Sequence, residues 1–573
     1  MWWRKIILIG LGLIVLTIGL GIYVIRQSEY RLESSAAGSF LAAYQADLNK
    51  DYTSAGRYYD EARRENPRNK QVLREAMRAH LVSGQMAAAL SSAQSLLNYE
   101  KNNARALTLL ALAAFKNGDF DGARAHLNRL RPSPMSDLLE SNIRLWLDFA
   151  QNERGAYSKA IDTLAQATAL PFVSFMQAAH GAELMGNTQK AAQLYRQGVR
   201  AGGMRYLVFT LAYGDFLHRQ SDIALAKKIY DYYNLTHAPH PTVLRARQLL
   251  SNSSKPPSRD PMLGLTQLFQ LLGEAMMHEK RNQLGLAYTH IAHYLDPSNM
   301  QVIYQIATLH EQQQSWKAAQ NWYARIGENS PLFVKAQLAR ASTLNQMGNA
   351  EMAIAILSNI FAAHPNNREV LVALGDVYRF NARFAEAEKA YDGAIAMIDE
   401  DDNRFWHIYF SRGMVREQLG NWPRAERDLQ KARILSGDEP HVLNYLGYSW
   451  VDRGIYLHNG LKIIKQAVKK RPDNGSFVDS LGWAYYRLGQ YEQALIYLER
   501  ATRLEPVDPI ITDHLGDVLW RLGRKVEARY QWRKALGFNP EGKNHHAIEQ
   551  KLIKGLIAPP TIIVPNLSDG TAI

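Results

Sequence analysis

The chain has 573 residues, 47% of them hydrophobic, which makes it too long for one hydrophobic core and too apolar for a disordered chain. Cysteine is absent, which excludes disulfides, thiolate catalysis, Cys-ligated zinc and a lipid-modified N-terminal Cys. The formal charge of +13 comes without any run of five basic residues, so an arginine-rich nucleic-acid arm is excluded and no nucleic-acid partner is expected.

The first predicted element is IILIGLGLIVLTIGLGIYVI, residues 6–25, without a charge in twenty positions. At about 1.5 Å per residue, such a helix crosses a bilayer core of about 30 Å. Residues 1–30 are therefore predicted to be an N-terminal membrane anchor with one transmembrane helix. A cleaved secretory signal is the alternative, but its only small-residue site, Ser35-Ala36-Ala37, falls inside the first predicted repeat helix. Arg4 and Lys5 before the span are balanced by Arg26 and Arg31 after it, so loop charge sets no orientation.

A repeat begins directly after the anchor. Ala43, Met77 and Ala111 stand 34 residues apart, each followed twelve residues later by Ala55, Ala89 or Ala123. A weaker unit covers Leu145 to Ala165, and further units centre on Ala179 and Gly214, giving a first block over 36–237. The stretch 238–263 contains five prolines and a Ser-Asn-Ser-Ser-Lys cluster, which predicts an exposed linker. A second block, 264–542, runs through Gly273, Ala307 and Ala341 to Gly375, Gly413, Gly447, Gly482 and Gly516, in steps of 34 to 38. Residues 543–573 are predicted to be a capping helix, NHHAIEQKLIKGLI, and a tail.

Most units have a small residue at the eighth position and Ala at the twentieth, with Met77 and Gly460 as departures; the clearest units add Pro at the thirty-second, as in Gly482, Ala494 and Pro506 or Gly516, Ala528 and Pro540. Small residues let two helices approach, and Pro stops the second helix. This pattern resembles the tetratricopeptide repeat (TPR) family over about 36–237 and 260–542. The resemblance implies an all-α fold, a superhelical solenoid of about fourteen helical hairpins.

No catalytic constellation is present. The glycines of GLGL and GLGI lie in the apolar run, and no nucleophile elbow or H-E-x-x-H sequence occurs. His545-His546 and the pair His237 and His240 lack a converging carboxylate cluster and are read as solvated surface histidines. The run from Asp399 to Asp402 lacks the Gly and distal Glu of a calcium loop. Neither catalysis nor a cofactor nor a metal is expected.

In repeats resembling this family, positions 2, 5, 9, 12 and 13 face the concave groove. That register places Asp376 and Arg379, then Asn444 and Tyr448, then Asp479, Trp483, Tyr486 and Arg487, then Asp513, Asp517, Trp520 and Arg521, on a protein-binding face. Asn, Asp and Arg pair main-chain amides and charged side chains, while Trp and Tyr supply large contact area at low entropic cost. The competing reading is that Asp479 and Asp513 brace helix starts and that Trp483 and Trp520 pack against the next hairpin.

From Leu443 onward the run LNYLGYSWVDRG, DSLGWAYYRLGQYEQALIYLERA, DHLGDVLWRLGRKVEARYQWRKAL resembles proteobacterial envelope TPR proteins, among them lipoprotein adaptors of carboxyl-terminal processing proteases. This resemblance, which covers roughly 260–542 and is strongest from Leu443, implies a periplasm-facing scaffold that gathers a protease and its substrate, and the apolar span adds the expectation of an inner-membrane location. Those adaptors begin with a lipid-modified Cys, and here the apolar span stands in its place. Self-association, or service as a regulatory subunit of an envelope enzyme complex, are the other functions expected of such a solenoid.

Overall fold

The computed structural model describes residues 35–251, 256, 260–398, 402–540 and 542–556. The apolar run 6–25, the acidic positions 399–401 and the tail from 557 lie outside them. Among the described residues the chain is helical, without strands, and no helix is long and apolar enough to cross a membrane.

Local chemistry explains the hairpin period. Asn or Asp stands before many first helices, and its side-chain oxygen accepts the N–H groups left free by the first turn: Asn69, Asn103, Asn299, Asn474 and Asp508 all do this. The turn between the two helices needs a left-handed residue, supplied by Gly489 (φ +75°) and Gly523 (φ +79°) in the last two repeats. The small eighth position is needed sterically as well. A Cβ on Gly516 would come within 2.4 Å of the fully buried Trp532.

The chain divides into two compact units, 1–349 and 350–573. The division therefore does not fall at the proline-rich stretch. Residues 238–263 are also not an unstructured linker throughout, since Pro241–Leu249 is helical and buries Val243.

In the first unit, hairpins run from Ala36–Leu48 and Tyr52–Glu65 to Leu207–Arg219 and Ile223–Thr236. The helix Pro261–His278 then leaves simple succession. It packs against Pro134–Ala150, Pro171–Leu184 and Leu207–Arg219, the first helices of three successive hairpins. Nearly its whole circumference is buried, from Gly264 through Leu268, Phe269, Leu272 and Met276. Its polar residues Thr266, Gln270 and Glu274 are buried together with the apolar ones, so the covering elements enclose more than an apolar stripe. Consequently a single hydrophobic cluster extends from Tyr52 to Leu309, with Trp146, Phe209 and Phe269 inside it.

Glu274, on this helix, is buried, and its carboxylate accepts the N–H groups of Leu207 (2.7 Å) and Val208 (3.2 Å). Tyr206, which precedes the helix Leu207–Arg219, makes no side-chain cap. A residue 67 positions away in sequence thus caps that helix from inside the unit. Burial pushes the Glu274 carboxyl up to about 7 despite these two hydrogen bonds.

The second unit keeps strict succession, from Arg368–Phe380 and Phe384–Ile395 to Pro509–Arg521 and Lys525–Gly537, closed by Gly542–Lys554. Its apolar residues form separate local clusters between neighbouring hairpins, as expected of a solenoid whose repeats touch only their neighbours. The capping helix expected from residue 543 is present and buries Ile548.

Candidate functional site

The first helices of the second unit carry a ladder of bonds between residues 31 to 38 positions apart, one repeat in sequence. Asp452 accepts the Trp483 indole N–H at 3.3 Å, and its backbone carbonyl accepts from the Arg487 guanidinium. Trp483 stacks on Tyr486 (4.7 Å between centroids) and on His514 (4.1 Å). Asp479 pairs with His514 across 2.9 Å, and the Arg521 Nε donates to the Tyr486 hydroxyl at 3.3 Å. At the end of the ladder the Lys551 ammonium donates to Asp513 at 2.7 Å and Asp517 at 2.8 Å. Asp517 also accepts the Trp532 indole N–H at 3.0 Å, and the Trp520 indole donates to the Leu556 carbonyl at 3.3 Å.

Most of the sequence-derived groove residues are therefore engaged with other repeats of the same chain. Asp479 and Asp513 are not helix starts, because Asn474 and Asp508 are the caps. Tyr486, placed on the groove by repeat register, is buried, whereas its neighbour Tyr485 is half-buried and stacks on Tyr497. Asp376 and Arg379 pair within their own hairpin, both on the Tyr391 hydroxyl. Sequence register missed three partners: His514, Asp452 and Lys551. Each stands 31 to 38 residues from a groove residue that it bonds, and that spacing is the signal that would have found them.

The helix Pro440–Asp452 differs from the ladder that follows it. Its Asn444 Oδ1 is buried and has no hydrogen-bond partner, while Tyr448 is half-buried. Burial, then the carboxylates of Asp452 and Asp479, raise the Tyr448 phenol above its ordinary value. One repeat earlier, Phe410 and Met414 occupy the equivalent positions and are also half-buried. One repeat later, Trp483 occupies the position equivalent to Tyr448 and is half-buried.

Among the described residues no group of three or more His, Asp or Glu could hold a metal ion. His545 and His546 pair along their own helix with Glu549. His240 departs from the expected surface position: it is buried, and burial followed by the Lys335 charge lowers its imidazole to about 3.

Two segments, 81–137 and 480–542, match family models described as tetratricopeptide repeat. The TPR repeat-containing protein PA4667 of Pseudomonas aeruginosa is 29% identical over 215 residues, 37% of this chain and 35% of that protein. Tetratricopeptide repeat protein 13 of Homo sapiens is 26% identical over 142 residues, 25% of this chain and 16% of the relative. The chain thus matches about a third or less of the length of these relatives. Among solved structures, the APC/C hetero-tetramer Cut9–Hcn1 aligns over 94% of this chain and 99% of that one, at 16% identity and a TM-score of 0.38. Among the described residues the chain is all-helical, and its segments 81–137 and 480–542 are similar to tetratricopeptide repeats, a repeat type that generally binds other proteins.

Proposed function

We propose that this protein is a membrane-tethered, non-enzymatic adaptor that binds a partner protein on the concave face of its second unit, at Asn444, Tyr448 and Trp483, over a floor formed by Phe410 and Met414. The observation that carries this reading is the orphaned Asn444 oxygen. On a face where neighbouring polar groups find partners inside the chain, a buried acceptor left without a donor costs roughly 1–3 kcal/mol. A peptide N–H laid along the groove recovers that cost, and the half-buried rings of Tyr448 and Trp483 add contact area.

The first unit is a poor site for such a partner, since its own helix Pro261–His278 lies against the first helices of three hairpins. The charge-free run 6–25 supports a tether. The likeness of roughly 260–542, strongest from Leu443, to envelope adaptors supports a solenoid facing the periplasm with a protease and its substrate as the pair brought together, and the same apolar run supports the inner membrane as the site of the tether.

Affinity capture from envelope extracts tests the groove, with Asn444→Leu as the decisive variant. It removes the orphan acceptor, so stability is retained or raised while partner recovery falls about tenfold, the equivalent of one lost hydrogen bond. Undiminished capture by a folded Asn444→Leu protein rejects the site. A C-terminal reporter active only in the periplasm tests the location, and a silent reporter on a stably expressed fusion rejects it.

A further inference from the structure

The first unit closes on itself. The Tyr52 hydroxyl donates to Gln313 Oε1 at 2.7 Å across 261 residues of sequence, and the Lys50 ammonium donates to the Gln313 carbonyl at 2.9 Å. The helices Lys70–Val82 and Met86–Leu97 both pack against Asn282–Leu295. Lys116 reaches the Tyr294 carbonyl and lies 4.1 Å from the centroid of that ring. A long-range seam therefore joins early hairpins to late ones.

His290 stands in this seam. The turn residue Gly84 (φ +78°) is seated directly on its ring, since a Cβ there would come within 2.7 Å of both Cε1 and Nδ1. The imidazole is 2% exposed, and neither ring nitrogen has a hydrogen-bond partner. His310 lies 6.4 Å away between centroids and Trp322 5.5 Å away. His293, one turn along the same helix, meets the other side of Trp322 at 5.1 Å.

The charged neighbours offer no compensation for a proton here. The groups that face His290 are His310, His293 and Arg325, all basic, with Arg325 resting 3.9 Å over the Trp322 ring. Near His293 stand Arg325, Lys116 and the carboxylate of Asp296. Glu311 accepts the Tyr323 hydroxyl at 2.6 Å. On the early hairpin, His80 is held between Asp60 and Gln85.

We propose that this seam is an acid-opened latch, in which protonation of His290 and His310 parts the 70–97 hairpin from the helix Asn282–Leu295 while both elements stay folded. The closed seam holds both imidazoles neutral by burial, His310 down at about 4 and His290 well below its ordinary value. An opened seam returns them to water and an ordinary imidazole value of about 6.5. The closed state thus has its full advantage above about pH 6.5 and loses it as pH falls, by up to tenfold per pH unit for each proton taken up on opening. Glu274 opposes global unfolding in the same window, because its raised carboxyl favours the folded state as pH falls.

Hydrogen exchange with mass spectrometry on the full chain tests the latch, with rates corrected for their intrinsic pH dependence. Between pH 7.5 and 5.0, peptides from 70–97 and 282–295 lose protection by about tenfold or more, while those from 207–219 do not. His290→Phe with His310→Phe abolishes this selective loss, and His290→Gln with His310→Gln does so if the aromatic pair misfolds. Selective loss that persists in the folded variant, or exchange in the native protein that rises equally everywhere or nowhere, overturns the proposal.

Discussion

Asp479 and His514, one repeat apart, are both buried and share a hydrogen bond of 2.9 Å that ties the last two hairpins together. Burial works against a charged imidazole, but the Asp479 carboxylate, with Asp513 and Asp517 behind it, raises His514 above its ordinary value. The stabilisation is therefore complete below about pH 6.5 and is lost as pH rises through the higher folded value. In thermal melts between pH 5.5 and 8.5, the second unit of the native chain loses stability with rising pH, and His514→Gln flattens that slope. Asp479→Leu strands the imidazole and costs about 3 kcal/mol at neutral pH. A pH slope identical in native and His514→Gln proteins contradicts this account.

The terminal helix is held by one cation between two carboxylates. Burial, then the Asp513 charge, pushes Asp517 up to about 6 although Lys551 lies beside it. Lys551→Met leaves the two acids facing each other and costs about 3 kcal/mol in urea denaturation of the second unit at pH 7.5. Adding Asp513→Asn and Asp517→Asn recovers most of that loss, because the uncompensated charge is then gone. A triple variant no more stable than Lys551→Met shows instead that lost packing of the lysine stem dominates.

Gly264 is required by a close approach rather than by a turn. A Cβ there would fall 2.1 Å from the Trp146 ring, whose indole N–H donates to Gln177 at 2.7 Å. Trp146 is fully buried and has little room to move. Gly264→Ala is expected to cost about 2 kcal/mol by overpacking, despite the higher helix propensity of alanine. Chemical denaturation followed by tryptophan emission measures it, and a neutral or stabilising effect shows that the helix can shift along the groove.

How much of this was legible in the sequence differs between the units. The period of small residues located the second-unit hairpins, because there each repeat touches only its neighbours and local spacing is the whole packing problem. The role of Pro261–His278 was missed, because register shows where a helix falls and not what covers it. Its signal was composition: an eighteen-residue helix in which Leu, Phe and Met outnumber a narrow polar stripe needs partners on more than one side. The groove register named residues on first helices, but it could not tell a free side chain from one spent on the next repeat. Asp479, Asp517 and Tyr486 are buried in such bonds, whereas Asn444 keeps an unanswered acceptor.

The first unit contains two titrations of opposite sense, and together they predict a stability maximum. Glu274, raised to about 7, contributes stability that is fully present below about pH 4.5 and is lost as pH rises through 7, by about 3 kcal/mol in all. His290 and His310, lowered by burial, contribute stability that is present above about pH 6.5 and is lost as pH falls. Stability of this unit, measured by urea denaturation from pH 4.5 to 8.5, therefore peaks at about pH 6.5, where the two histidine gains, which outweigh the single Glu274 loss at lower pH, are complete. Glu274→Gln removes the alkaline loss and moves the peak to higher pH, while His290→Phe removes part of the acid loss and moves it lower. Two variants that shift the peak in the same direction are incompatible with this pairing of causes.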